Sequence, residues 1–136
     1  DLVAASGGAR DNLAKLIAGG PMMGFALPSL EVAMSKTSSG LLLFPRECVR
    51  PYRSMACINC GRCVEACPLG LMPNELSQAA EADDIDEAEN RHVMDCFECG
   101  ACAYVCPARR PLVQHMRRAK AVITQRRRAA AQQKKT

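Results

Sequence analysis

Cys57-Ile58-Asn59-Cys60-Gly61-Arg62-Cys63-Val64-Glu65-Ala66-Cys67-Pro68 decides how this chain folds, because its pattern returns as Cys96-Phe97-Glu98-Cys99-Gly100-Ala101-Cys102-Ala103-Tyr104-Val105-Cys106-Pro107. Each run sets three cysteines at two-residue intervals, adds a fourth after three more residues, and follows it at once with proline. That is the spacing with which a chain wraps a cubane 4Fe-4S cluster in thiolates, so two runs predict two clusters. Three cysteines so close together turn inward on one small object only where the backbone curls tightly. Gly61 and Gly100 stand where that curl needs a positive φ. The inward N–H groups can then bond cluster sulfides, which makes both glycines cofactor-binding positions.

In two-cluster ferredoxins the fourth cysteine of such a run ligates the other cluster, because the following proline carries the chain out of its own loop. The predicted ligand sets are therefore Cys57, Cys60, Cys63 and Cys106 for one cluster, and Cys96, Cys99, Cys102 and Cys67 for the other. Zinc is the plainer alternative, but it needs four ligands and has no use for a third cysteine at the same interval or for a trailing Cys-Pro. Disulfides fit less well, since C-x2-C pairs repeated in this way do not staple a fold and nothing here marks secretion. Eight cysteines saturate two clusters; the ninth, Cys48, reads as a spare thiol.

A chain of 136 residues allows one domain, or a small domain with an appendage. Aromatic residues make up only 4% and tryptophan is absent, which suits a module whose clusters fill much of its centre. No stretch is long and apolar enough to span a bilayer: the best, 18–30, is short and broken by Gly20, Pro21, Gly24 and Pro28. The net charge of +4 hides an asymmetry, acidic residues dominating from 75 to 98 and every charged side chain being basic from 109 to 135. The basic end has no interleaved aromatics and no recognisable motif for nucleic acid, so no nucleic-acid partner is expected. The chain opens on Asp1 inside what reads as an ordered segment, and a fragment of a longer protein is expected.

Residues 1–44 contain no cysteine and read as a small β-rich piece, with strand-like runs at 14–18, 32–36 and 41–44. Gly19-Gly20-Pro21-Met22-Met23-Gly24 lacks the lysine of a P-loop and reads first as a turn with packed methionines. Residues 45–55, with Pro45 and Pro51, form a linker. Between the cysteine runs, 73–82 is a predicted helix burying Leu76, Ala79 and Ala80. Asp84 with Glu87 makes a capping-box start for a second helix reaching about Met94. After Pro111, the spacing of Leu112, Met116, Ala119 and Ile123 predicts a helix packed on the cluster domain, with a basic end beyond Thr124 expected to fray or to rest on anionic lipid or an acidic partner. His92 and His115 read as surface or packing residues. The predicted fold class is α+β: a β-rich piece at 1–44, the linker, a helical two-cluster 4Fe-4S ferredoxin-type domain at 56–112, and a C-terminal helix with basic tail at 113–136.

Taken together, Gly19-Gly20-Pro21-Met22-Met23-Gly24, Lys36-Thr37-Ser38-Ser39-Gly40, the run from Cys57 to Pro68, and Asp95 through Pro107 to Pro111-Leu112-Val113-Gln114 resemble the C subunit of the Rnf ion-translocating ferredoxin:NAD oxidoreductase complex. The resemblance covers nearly all of the chain except its basic tail. It implies that 1–44 is the C-terminal part of a β-grasp (SLBB-type) domain and that FMN and NAD(H) belong to an upstream region. It implies other subunits of a membrane-bound electron-transfer complex as partners, another iron–sulfur subunit among them, and a peripheral position on the cytoplasmic face of the inner (plasma) membrane. The activity it implies is a one-electron relay between the NADH/flavin end and the next iron–sulfur subunit, with no NADH oxidation by this chain alone. Two other classes share the cluster arrangement: cobalamin-reductase-type subunits, and helical iron–sulfur subunits of heterodisulfide- or hydroxyacid-oxidising complexes, which leave Gly19 to Gly24 unexplained.

Overall fold

A computed structural model of the chain describes residues 2–49 and 53–133. The chain divides into two compact units, Asp1–Tyr52 and Arg53–Thr136. Of the expected linker, 50–52 lie outside the described residues, as do 134–136 of the basic tail.

The first unit begins with a single turn of helix, α1 (Leu2–Ala5), and is built on a three-stranded antiparallel sheet of β1 (Leu13–Ala18), β2 (Phe25–Leu27) and β3 (Leu41–Pro45). The strand order is β2-β1-β3, with Leu16 opposite Leu27 on one side and opposite Leu43 on the other. Leu16 and Ile17 are its buried side chains. The glycine-methionine segment is the β1–β2 connection. Gly19 has φ 95° and donates its N–H to the Gly40 carbonyl at 2.8 Å. At Gly24 an added Cβ would stand 2.5 Å from both the Gly20 carbonyl oxygen and Ile17 Cγ2, so the turn closes only on glycine. The expected strand at 32–36 is a correction: that stretch is irregular, and Phe25–Leu27 takes its place in the sheet. The tight turn returns the chain directly alongside β1. Meanwhile Ser35 and Thr37 bond each other through their hydroxyls at 2.7 Å and Ser38 N–H bonds the Ser35 carbonyl, local bonds that compete with a ladder.

The second unit is helical: α2 (Arg62–Glu65), α3 (Pro73–Glu81), α4 (Ile85–Asn90), α5 (Ala101–Val105) and α6 (Leu112–Gln133), with a 3-10 turn at Val93–Asp95. It is two copies of one plan: cysteine loop, short helix, Cys-Pro, a left-handed residue (Gly70 with φ 67°, Arg109 with φ 51°), then a longer helix. Pro73 opens α3, where its missing N–H costs nothing. Leu76, Ala79 and Ala80 of α3 meet Ile85 and Ala88 of α4, Val93, and the Met116, Ala119 and Ile123 stripe of α6 in one buried cluster. Fully burying each of Leu76, Met116 and Ile123 is worth about 1.5–3 kcal/mol.

Asp84 caps α4, its carboxylate accepting from the Glu87 N–H at 3.0 Å. This second helix is shorter than expected, ending at Asn90. An unbroken helix would turn His92 inward beneath Ile85; instead His92 adopts φ 61° and the chain rotates Val93, fully buried, into the core. The expected fraying of α6 is also corrected, since the helix runs on to Gln133. Its arginines hold the acidic helix and the turn before it: Arg118 to Asp83 at 2.5 Å, Arg126 to Asp86 at 2.7 Å, Arg127 to Glu89 at 2.6 Å. Much of the charge asymmetry along the chain is therefore complementarity inside one unit.

Candidate iron–sulfur site

Two cavities open in the helical unit, each lined by four cysteines. Cys57, Cys60 and Cys63 of the first loop line one together with Cys106. Cys96, Cys99 and Cys102 of the second loop line the other together with Cys67. With their mouths included the cavities measure about 360 and 420 Å³, close enough in size for like occupants. Among the described residues no three Cys, His, Asp or Glu side chains converge on one metal-ion position. Four thiols and no nitrogen or carboxylate ligand in each set is the donor chemistry of a 4Fe-4S cluster.

The curl of each loop is set by two left-handed residues. Gly61 and Gly100 have φ 76° and 85°, where the sequence placed a positive φ. Asn59 and Glu98, between the first two cysteines of each run, also turn left-handed, at φ 51° and 61°. Asparagine takes that conformation readily, whereas for glutamate it is strained by about 1–3 kcal/mol. Glu98 is held there by Arg117 at 2.7 Å and Lys120 at 2.8 Å, the ammonium also reaching the Cys96 carbonyl at 2.8 Å. Burial tends to raise the Glu98 carboxyl pKa, but the bonds from Lys120 and Arg117 outweigh it and leave it lowered.

Backbone N–H groups do aim at sulfur: Glu98 donates to Cys96 Sγ at 3.4 Å, and Asn74, in the first turn of α3, donates to Cys63. Burial pushes the thiols of Cys63 and Cys96 up and that of Cys102 up to about 11, so ligation there releases protons at neutral pH. Ile58 and Phe97 occupy the same place in the two loops, each lining its cavity while exposed to solvent. Cys48 is exposed in the first unit and lines neither cavity. His92 is exposed, whereas His115 bonds Ser77 Oγ through Nδ1 at 2.7 Å, and burial lowers its pKa.

Sequence reasoning missed the wall residues beyond the cysteines. Asn74 and Arg110 line the first cavity; Leu71 and Val113, at the equivalent places in the repeat, line the second. Superposing the stretches after the two Cys-Pro pairs pairs Leu71 with Arg110 and Asn74 with Val113, a signal present in the sequence. Arg110 is 9% exposed, with Nη2 on Ser77 Oγ at 3.0 Å and ion-paired to Glu81. Its Nε and the Asn74 Oδ1 are buried with no hydrogen-bond partner among the described residues.

Paired four-cysteine cavities, built by two copies of one loop-and-helix plan, define the class of dicluster iron–sulfur domains. The family described as "4Fe-4S dicluster domain" matches residues 51–126, more than half of the chain, and the chain belongs to it. It is 45% identical over 122 residues to the C subunit of the proton-translocating ferredoxin:NAD(+) oxidoreductase complex of Clostridium ljungdahlii, covering 89% of this chain and 27% of that protein. It is 44% identical over 128 residues to the C subunit of the ion-translocating oxidoreductase complex of Pseudomonas aeruginosa, covering 93% of this chain and 16% of that one. The protein of the same name from Vibrio cholerae is 50% identical over 84 residues, covering 61% and 11%. The chain thus spans only a minor part of the length of these relatives.

Proposed function

We propose that this chain is the electron-relay portion of a C subunit of an Rnf-type ion-translocating ferredoxin:NAD oxidoreductase complex. The observation that carries the reading is the division of eight cysteines into two four-thiol cavities, each drawing one cysteine from the opposite run. Cys57, Cys60, Cys63 and Cys106 hold one 4Fe-4S cluster; Cys96, Cys99, Cys102 and Cys67 hold the other. Bound there, each cluster supplies a one-electron couple.

The remaining residues position and shield. Gly61 and Gly100 let each loop curl so that its amides face the ligands, Ile58 and Phe97 cover the cavity mouths, and the α3–α6 core fixes the distance between the two halves. No acid, base or nucleophile of this chain is needed. Residues 1–44 are read as the end of a β-grasp (SLBB-type) domain, which the small antiparallel sheet supports; 45–55 as linker, 56–112 as the two-cluster domain and 113–136 as the closing helix and tail. FMN and NAD(H) handling belongs, on this reading, to upstream parts of a longer protein.

Partners are other subunits of the complex, including another iron–sulfur subunit, with the chain peripheral on the cytoplasmic face of the inner membrane. The names of the relatives support membership of a multi-subunit complex, and no helix among the described residues is long and apolar enough to cross a membrane. The test is the iron and acid-labile sulfide content of anaerobically prepared protein, with EPR of the dithionite-reduced form. About eight of each with a spin-coupled signal is expected for two cubanes. Stoichiometric zinc without sulfide would overturn the proposal.

A further inference from the structure

The two halves line their cavities differently, most sharply at one position. Arg110 and Leu71 each stand four residues after a run's last cysteine, and each lines the cavity that this cysteine lines. A leucine there is ordinary. A buried guanidinium with an unpartnered Nε–H is not: an orphaned donor inside a protein carries its full desolvation penalty, larger still when charged, and the great majority of buried polar groups are bonded. Arg110 is also tethered, its Nη2 bonded to the fully buried Ser77 hydroxyl and ion-paired to Glu81. The tethered side chain stands in a wall whose other members include Cys57, Cys60, Cys63 and Cys106.

Building on the cluster assignment above, we propose that Arg110 donates its Nε–H to the sulfur of the iron–sulfur group in the first cavity and raises that site's affinity for an electron. Taking up one electron adds one negative charge to the group, with no bond made or broken. A cationic donor at its edge stabilises the reduced form more than the oxidised one. The second cavity has Leu71 at that place, and Val113 where the first has Asn74. In the rival reading Asn74 Oδ1 accepts from Arg110 through an intervening water, and only the charge of Arg110, which Arg110→Lys keeps, would then act on the potential.

The experiment is an EPR-monitored redox titration of the cluster-loaded chain, with Cys60→Ser marking the signal of the first cavity independently of where the fourth ligand lies. Arg110→Leu, which copies the second half, is expected to lower the reduced-to-oxidised ratio of that cluster about tenfold at fixed potential, a 59 mV shift for one electron, while leaving the other cluster unchanged. Arg110→Lys keeps the charge without the Nε–H and serves where the leucine variant folds poorly; its shift has the same sign and is smaller. Glu81→Gln, which removes the counter-charge at a half-exposed site, shifts the same cluster the opposite way. Two clusters present with neither moved by Arg110→Lys and Glu81→Gln, or with both moved equally, overturn the inference alone. Absence of two clusters by iron and sulfide overturns the underlying assignment and the inference with it.

Discussion

The first and second cysteine loops share a backbone and differ in what surrounds it. Asn59 and Glu98 turn left-handed at φ 51° and 61°, Gly61 and Gly100 at 76° and 85°, and a short helix and a Cys-Pro follow in both. Yet the first loop uses a residue suited to that turn, whereas the second uses a strained glutamate tied down by two cations of α6. The first cavity is walled by Asn74 and Arg110, the second by Val113, Leu71, Leu76 and Met116. The lesson is that a repeated ligand pattern fixes geometry, while unrepeated neighbours decide how each site differs electrostatically. Two like cradles can thus serve as unlike stations for an electron.

The most disruptive way to probe this comparison is to remove one crossed ligand from each half. Cys67→Ser is expected to cost the later loop its cluster, and Cys106→Ser the earlier loop, each losing about half of the iron; cluster-resolved EPR checks which signal disappears. Loss of the neighbouring cluster instead would mean that each run closes on itself. Next in size, Met116→Ala empties part of the core that locks α6 against α3 and should cost about 2–5 kcal/mol in chemical denaturation of the loaded protein.

A reciprocal exchange tests the walls directly. Val113→Asn places in the second cavity what the first already has, and should cost about 1–3 kcal/mol unless the amide finds a partner, whereas Asn74→Val removes a buried orphan acceptor and should be tolerated. Equal penalties in thermal melts of the two variants would show that the cavities are more alike than their linings suggest. Asp84→Ala, which touches neither cavity, should cost about 1 kcal/mol through loss of the α4 cap and should leave both EPR signals in place.

The smallest expected effect concerns pH. Burial lowers the His115 pKa below 6.5, so between its folded and unfolded pKa values the unfolded chain binds the extra proton. Its contribution to stability is therefore complete above 6.5 and is lost as pH falls through the folded value. His115→Gln should flatten the dependence of the denaturation midpoint on pH below 6.5; a slope equal to that of the parent protein would place the titration elsewhere.

Much of this was legible because cysteine spacing, capping and periodicity are local. The positive φ at Gly61 and Gly100, the Asp84 cap, and the Leu112, Met116, Ala119 and Ile123 stripe follow from residues within a turn or two of one another. What escaped was decided across the chain. The 32–36 stretch reads as β by composition, but the Gly19–Gly24 turn had already delivered Phe25–Leu27 to the open edge of β1. The end of α4 was set by the need of Val93 for the core, and Arg126 and Arg127 of α6 are held by carboxylates about 40 residues earlier, Asp86 and Glu89. Arg110 looked like one cation among many until Ser77 and Glu81 were seen to hold it in the cavity wall.

The crossed lining of the cavities also bears on the order of events during synthesis. The second cavity lacks Val113 and Met116 of its wall, and the first lacks Cys106 and Arg110, until nearly all of this region has left the ribosome. Neither four-thiol set is complete until the second run is made, so the earliest thiols, Cys57 to Cys67, wait about 30–50 residues for their partners. On the proposed ligand sets a nascent chain halted between Cys102 and Cys106 would hold all four thiols of the second site but only three of the first.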